Sequence, residues 1–409
     1  MDFRQELYQF DSGLRLVFIK TEGFHTAKFK VMVMTGAEDE SSPTGMAHLV
    51  EHTIFKGTDK LSQEEISEKF NSLSAEVDAF TSSEFTSYKA NFPKRNLEPV
   101  LELYSHILKD SAFDKDMMAK EKRVIIEEIL MHEDNPDQLS FDNLVKLMYS
   151  DNGIGHDIAG EIDEFKKVTK SMAYKFYKDR YHAKNFLISV IGDFEFEAVK
   201  QLVDKYFNKP FIPSRLAVLK KWSSKSRVKP KSKVVYKDIN QANIVMGFKT
   251  VPYPDYKRLD IGLIGFILGG SMSSRLFRRI RNELSLCYAV YAFEMNYKSN
   301  GFLGVSLATS SDKSDMAIGA VNEEIMKILE QGVTDEEFNS AKSLTLDKYL
   351  MNQDYPSVNL HYLAYENRLA DRDEITNYIR GITKESALQA FREYIQPNKA
   401  FLSIVTSKN

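Results

Sequence analysis

The sequence predicts an α+β protein of two homologous domains, each a mainly antiparallel sheet packed with helices. Three observations carry that prediction. Strand-like and helix-like stretches alternate through the first half of the chain. The same order of stretches returns in the second half at an offset of 214–215 residues. Between the copies runs KPFIPSRLAVLKKWSSKSRVKPKSK, which has the proline, serine and charge of a linker.

In chain order, ELYQF, DSG and LRLVFIK read as a hairpin with a glycine in its turn. AKFKVMVMT is a strand, rich in β-branched and long apolar residues. PTGMAHLVEHTIF follows as a helix. SQEEISEKFNSL is a second helix, opening on a serine cap and an acidic first turn. AEVDAFTSSEFTSYKANF reads as two strands around TSS. Long helices are expected at about 96–111 and 115–132, and NFLISVIGD is a further buried strand.

The repeat fixes the expected division. KFKVMVM at 28–34 resembles ANIVMGF at 242–248. FYKDRYHAKNFLISVIG resembles FREYIQPNKAFLSIVTS, with Phe176 on Phe391 and Phe186 on Phe401. A fixed offset at two distant points means duplication of a whole domain, and the period is far too long for a solenoid. The first domain is expected over 1–210, the linker over 211–232 and the second domain over 233–409. The stretch from Lys220 to Lys233, at the end of the linker, has seven basic residues and no acid. It is short and has only Trp222 as an aromatic, so a solvated linker is favoured over a nucleic-acid-binding strip.

With 409 residues, 43% hydrophobic and 28% charged, the chain can bury more than one core. A net charge of −3 gives no overall pull toward nucleic acid or an anionic membrane, and no apolar stretch is long enough to span a bilayer. The start, MDFRQELYQF, lacks the basic and apolar runs of a signal peptide. The lone cysteine, Cys287, excludes an intrachain disulfide. Both points favour a reducing, cytoplasmic setting. Cys287 lies in the apolar run LCYAVYAF and is expected as a buried structural thiol.

Chemistry concentrates at residues 48–52, HLVEH. Residues four apart share a helix face, so His48 and His52 can aim ring nitrogens at one ion. Glu51 lies beside them on nearly the same face and can reach a metal-held water without being a ligand. H-x-x-E-H is the inverted zincin order. The competing reading is two surface or core histidines, each satisfied by hydrogen bonds. A catalytic zinc also needs a third protein ligand from another element. KEKRVIIEEILMHED offers Glu121, Glu127, Glu128 and His132. Glu121 and Glu128 are two turns apart and share a face with Ile125, while Glu127 points about 100° away. Glu128 is therefore assigned as ligand and Glu121 as a group that orients a ligand or the water. A solvated acidic face is the competing reading.

The second copy lacks these groups. Aligning IFKGT with ILGGS at 267–271 sets His48, Glu51 and His52 opposite Ile261, Ile264 and Gly265. Aligning Met131 with Met351 sets Glu121 opposite Ala341 and Glu128 opposite Lys348. Joint loss of histidines and acids points to one shared ion, in the first copy only.

These stretches together resemble the pitrilysin/insulysin metallopeptidases, and are most similar to the short bacterial members related to mitochondrial processing peptidase. The resemblance covers almost the whole chain. It rests on HLVEHTIFKGT, on Glu128 lying 76 residues after His52, and on DAFTSSEFTSY, LISVIGD and GGSMSSRLFRRIRNELSLCYAV. It implies one zinc per chain held by His48, His52 and Glu128, with Glu51 as general base and Glu121 supporting the site. It implies an edge strand in DAFTSSEFT whose Asp78, Ala79 and Phe80 pair with a peptide substrate by β-augmentation. It implies that Arg281 and Tyr288, in RIRNELSLCY, contact the peptide and scissile carbonyl, where both can donate to a developing oxyanion. Without the resemblance they would read as a surface arginine and a core aromatic. Asp78 departs from the family's usual Asn, SLSAEV lacks its glycines, and Leu286 and Cys287 replace a smaller, glycine-containing pair.

The resemblance further implies that short chains pair around a chamber that admits unfolded peptides. A homodimer, or a heterodimer with a paralogue, would then complete the sites. The expected activity is a zinc-dependent endopeptidase that hydrolyses unstructured peptides directly, without an acyl-enzyme. The alternative is a non-catalytic or paralogue-dependent peptide-maturation subunit. No nucleic-acid or membrane partner is expected. His25, His106, His132, His156, His182 and His361 show no ligand spacing and read as structural.

Overall fold

The structure, a computed structural model, describes residues 5–211, 226–353 and 372–408. Its described residues fall into two compact units, one of 5–130 and 156–211, the other of 131–155, 226–353 and 372–408. Each is a sheet with helices.

The first sheet contains β1 (Gln5–Gln9), β2 (Arg15–Lys20), β3 (Thr26–Val33), β4 (Glu76–Thr81), β5 (Thr86–Pro93) and β6 (Phe186–Gly192), in the order β1-β2-β6-β3-β5-β4. β1 and β2 form the expected hairpin, with Gly13 at φ +90° in the turn. β6 is buried along its whole length and pairs parallel with β2; all other pairs are antiparallel. The helices are α1 (Met46–Ile54), α2 (Gln63–Ser72), α3 (Leu97–Lys109), α4 (Lys115–Asp134), α5 (Pro136–Met148), α6 (Ile162–Phe165), α7 (Lys170–Arg180) and α8 (Phe196–Val203). α2 starts on the predicted Ser62 cap, reinforced by Glu65 reaching back to Ser62 N at 2.8 Å. α3 buries Leu97, Val100, Leu101, Tyr104, Ile107 and Leu108, the three-and-four spacing of an amphipathic helix, against Phe29 and Val31 of β3.

In the second unit β7 (Ser232–Tyr236), β8 (Gln241–Thr250), β9 (Cys287–Asn296), β10 (Gly301–Ser310) and β11 (Phe401–Thr406) lie in the order β7-β11-β8-β10-β9. That is the order β2-β6-β3-β5-β4 again, with the same single parallel pair. The register repeats too: Val33 pairs with Phe186 in one sheet and Gly247 with Phe401 in the other, as the offsets of 214 and 215 require. The duplication read from the sequence is thus a duplication of topology. α9 (Lys257–Gly269), α10 (Ser314–Gln331), α11 (Asp335–Gln353), α12 (Arg372–Gly381) and α13 (Lys384–Tyr394) complete this unit.

Smaller features are duplicated as well. Thr169 caps α7 by accepting from Met172 N, and Thr383 caps α13 by accepting from Ser386 N. Lys122 Nζ donates to the carbonyls of Lys166 and Val168 at 3.0 and 2.7 Å. Lys342 Nζ donates to those of Arg380 and Ile382 at 2.6 and 2.7 Å. This latch aligns α4 with α11 as the sequence alignment did, one residue past Glu121 and Ala341.

The division in space differs from a cut at residue 210. Residues 131–155 belong with the second sheet. α5, begun by Asn135 as cap and Pro136 at its first position, packs Leu144, Val145 and Met148 on Val245, Phe302 and Phe401. The expected linker lies outside the described residues over 212–225, and so does His361. Among the described residues no helix is long and apolar enough to cross a membrane.

Candidate metal centre

α1 carries the HLVEH stretch and is fixed at both ends. Its first residue follows Gly45, at φ +90°, where a Cβ would lie 2.5 Å from Ala159 O. Buried Glu40 accepts from Gly45 N and Ala47 N, both at 2.6 Å, and so satisfies amides that the helix start leaves open. Burial pushes its pKa up to about 8, against those two amide bonds. Leu49, Val50 and Ile54 anchor α1 in the core, which turns His48, Glu51 and His52 to another face.

On that face the histidine rings lie one turn apart, centroids 4.6 Å from each other and planes at 78°. Glu128 comes from α4, its Oε2 3.9 Å from His48 Nε2 and 3.6 Å from His52 Nε2. One donor atom from each of the three lies within 4.8 Å of the others, the only such group among the described residues. Two imidazoles and a carboxylate are a zinc donor set. Bonds of about 2.0–2.2 Å at tetrahedral angles place ligand atoms about 3.3–3.5 Å apart, so small side-chain adjustments close this group on an ion. Glu127 and His132, the other candidates on α4, are exposed and outside it.

Behind the group, Glu121 Oε2 lies 3.1 Å from His52 Nδ1, and Glu121 Oε1 lies 2.9 Å from Lys56 Nζ. Glu51 is 8% exposed and accepts from Thr81 Oγ at 2.8 Å. Burial raises its pKa above the ordinary carboxylate range; the Thr81 hydroxyl and His52 pull it down, Glu128 and Asp78 push it up. Beside Glu51 and His52 opens a cleft lined by Phe55, Lys56, Val77, Asp78 and Ala79. β4, which holds Asp78, Ala79 and Phe80, is the last strand of its sheet, so one backbone edge is open to pairing. Asp78 Oδ2 is 2.7 Å from Lys89 Nζ, and Phe80 packs edge-on to Phe85.

Residues 15–161 match the family model described as insulinase (peptidase family M16), and residues 167–345 the one described as peptidase M16 inactive domain. A protein of Rickettsia felis described as an uncharacterized zinc protease is 30% identical over 408 residues, which span 97% of this chain and 95% of that one. The chain belongs to peptidase family M16. It is a short, two-domain M16 chain. YmxG of Bacillus subtilis, described as an uncharacterized zinc protease, is 26% identical over 98% of both chains. The crystal structure of a peptidase M16 inactive domain from Pseudomonas fluorescens shares the fold, at TM-score 0.91 and 18% identity over 99% of both chains.

Arg281 and Tyr288 lie in the second M16 domain, on a π-helical turn (Phe277–Glu283) and on β9. The Arg281 guanidinium donates to Tyr288 O and stands 4.5 Å over the Tyr288 ring. Tyr288 is 82% exposed, so it is not a core aromatic. Cys287 is half-buried, not enclosed as its apolar neighbours suggested, because β9 is an edge strand; burial still raises its pKa. The sequence reading missed Glu40, Thr81 and Lys56. Lys56 carried a faint signal, four residues after His52. The other two carried none, since their partners are brought to them by the fold.

Proposed function

We propose that this chain is a zinc-dependent endopeptidase acting on unstructured peptides. The observation that carries the reading is the convergence of His48, His52 and Glu128 from two helices beside buried Glu51 and an open strand edge. His48, His52 and Glu128 would hold the ion. Zinc, when bound, supplies a Lewis acid for the scissile carbonyl and brings the pKa of a water toward neutrality.

The remaining work falls to the chain. The outer edge of β4, at Asp78, Ala79 and Phe80, pairs with the peptide backbone and holds it extended, which requires an unfolded substrate. Glu51 takes a proton from the attacking water and delivers it to the leaving amine; its raised pKa suits both steps. Glu121 orients His52. Arg281 and Tyr288 donate to the carbonyl oxygen as it gains charge. Pairing of two copies around a chamber would let the second domain of one chain supply this pair to the other and would exclude folded proteins by size.

Metal content and peptide cleavage of the purified chain, beside Glu51→Gln, test this. The parent is expected to hold one zinc, cut unstructured peptides, stop with a chelator and resume with zinc. Glu51→Gln should keep the metal and lose about 10²–10⁴-fold in rate. A variant as fast as the parent removes Glu51 as base. A zinc-loaded parent inert alone but active beside a paralogue makes the chain a dependent subunit.

A further inference from the structure

The contacts of the metal centre continue past Glu121. Lys56 Nζ, Glu121 and His52 Nδ1 form one chain of contacts, at 2.9 and 3.1 Å. The Glu121 side chain is 9% exposed and that of Lys56 24%. The main chain fixes where Lys56 starts. Its N–H donates to Thr53 O at 3.0 Å. The next residue, Gly57, adopts φ +131° and accepts from Ala112 N at 3.1 Å, and Thr58 bridges to Ser111. This turn ties the end of α1 to the connection that leads into α4.

Two explanations compete: a salt bridge that staples α1 to α4 as part of the fold, or a device of the metal centre. The second domain separates them. There the matching helices, α9 and α11, pack in a sheet of the same order. Ala341 stands in place of Glu121, and Gly269 in place of Lys56. A Cβ on Gly269 would lie 2.5 Å from Ala292 N, so no side chain fits there. Lys122, next to Glu121, behaves differently: it survives as Lys342 with both of its bonds. A staple would have survived as that latch did. Lys56 is instead lost together with the histidines and acids.

We propose that Lys56 is a positioning residue of the metal centre. It holds Glu121 so that the second carboxylate oxygen accepts Nδ1–H of His52. His52 thereby keeps Nε2, the nitrogen 3.6 Å from Glu128 Oε2, as its donor to the ion. This rests on the zinc-peptidase reading. Charge alone predicts the opposite of positioning, because removing a cation near a dication should tighten metal binding.

Zinc affinity, read by competition with a chromophoric chelator, tests it on the parent, Lys56→Met, Lys56→Arg, Glu121→Gln and the double variant Lys56→Met/Glu121→Gln. Thermal midpoints without metal verify folding. Lys56→Met should weaken zinc binding about 10–100-fold. Lys56→Arg, which can still donate to the carboxylate, should recover most of that loss. In the Glu121→Gln background Lys56→Met should add nothing, since its effect runs through Glu121. Binding by Lys56→Met as tight as the parent or tighter, or an equal loss in both backgrounds, overturns the proposal alone. A parent that takes up no zinc overturns the zinc-peptidase reading and this role with it.

Discussion

Between α1 and α4 the first domain holds His48, Glu51, His52, Glu121 and Glu128; at the matching positions of α9 and α11 the second holds Ile261, Ile264, Gly265, Ala341 and Lys348. Ile261, Ile264 and Ala341 are buried in the second core, and Gly265 lets the Leu303 side chain come within 2.8 Å of where a Cβ would be. Lys348 reaches over the Phe266 ring. The fold therefore does not need a polar centre at this place. In the first domain three carboxylates and two imidazoles stand together, partly out of water, where like charges repel and desolvation costs several kcal/mol per ion unless a cation compensates. The comparison shows that packing alone suffices at these positions, which supports the proposed metal centre as the reason for the polar set in the first domain.

The sharpest way to break this comparison is to write the second domain into the first. His48→Ile with Glu121→Ala is expected to reduce zinc from one per chain to none and peptide cleavage to background. Without metal, the same variant carrying Lys56→Met as well should be more stable than the metal-free parent, by about 1–4 kcal/mol, because apolar residues then replace the whole Lys56–Glu121 pair and leave neither partner unpaired. Metal analysis and denaturant unfolding check both. A triple variant clearly less stable than the metal-free parent would mean that the polar groups serve the fold. The ion should act on one domain only. At a hundred times its Kd it adds about 2.7 kcal/mol to whatever unfolding releases it. Hydrogen exchange should slow in α1 and α4 and stay unchanged in α9 and α11; equal slowing in both domains contradicts a single site.

Much of this was legible in the text of the sequence. HLVEH is local, and helical phase alone separates Glu128 from Glu127. The duplication was legible because an insertion-free core keeps its offset, so Val33 could be matched with Gly247 and Phe186 with Phe401 from the sequence, while the pairing of Val33 with Phe186 and of Gly247 with Phe401 came only with the fold. What was not legible depends on packing partners. Asn135-Pro136 announces a helix start, but only the fold shows that α5 lies on the second sheet. Nothing in GAEDESSP separates Glu40 from its acidic neighbours, yet it is the one enclosed beneath the start of α1. The exposure of Tyr288 follows from β9 being an edge, which composition does not encode.

Glu40 supplies a pH test of the same contrast. Its pKa in the folded chain is about 8, above the ordinary value of 4.5. The folded state thus binds the proton more tightly than the unfolded state. The contribution is full below about pH 4.5 and is lost as pH rises through 8. From pH 5 to pH 8 the parent should lose about 1–3 kcal/mol more than Glu40→Gln does, read as the difference in urea midpoints. The loss should be centred on α1 in hydrogen exchange. Identical pH profiles for parent and variant would mean that Glu40 stays ionised on its two amides.

The smallest expected effect probes what the domains share. Lys122 and Lys342 each fasten a long helix to two carbonyls of the segment before α7 or α13. Both are half-buried, and burial lowers the pKa of Lys122, so the bonds form partly out of water. Charged donors contribute about 1.5–3 kcal/mol when buried, and less where solvent reaches them. Lys122→Met and Lys342→Met should each cost about 1 kcal/mol in denaturant unfolding, with zinc content and cleavage unchanged. The equality is the informative part, because the two latches bond corresponding carbonyls at similar distances in domains that otherwise diverged. A cost several times larger for Lys122 would show that its latch also braces α4 for the metal centre, and the line drawn between fold and chemistry would then have to move one residue past Glu121.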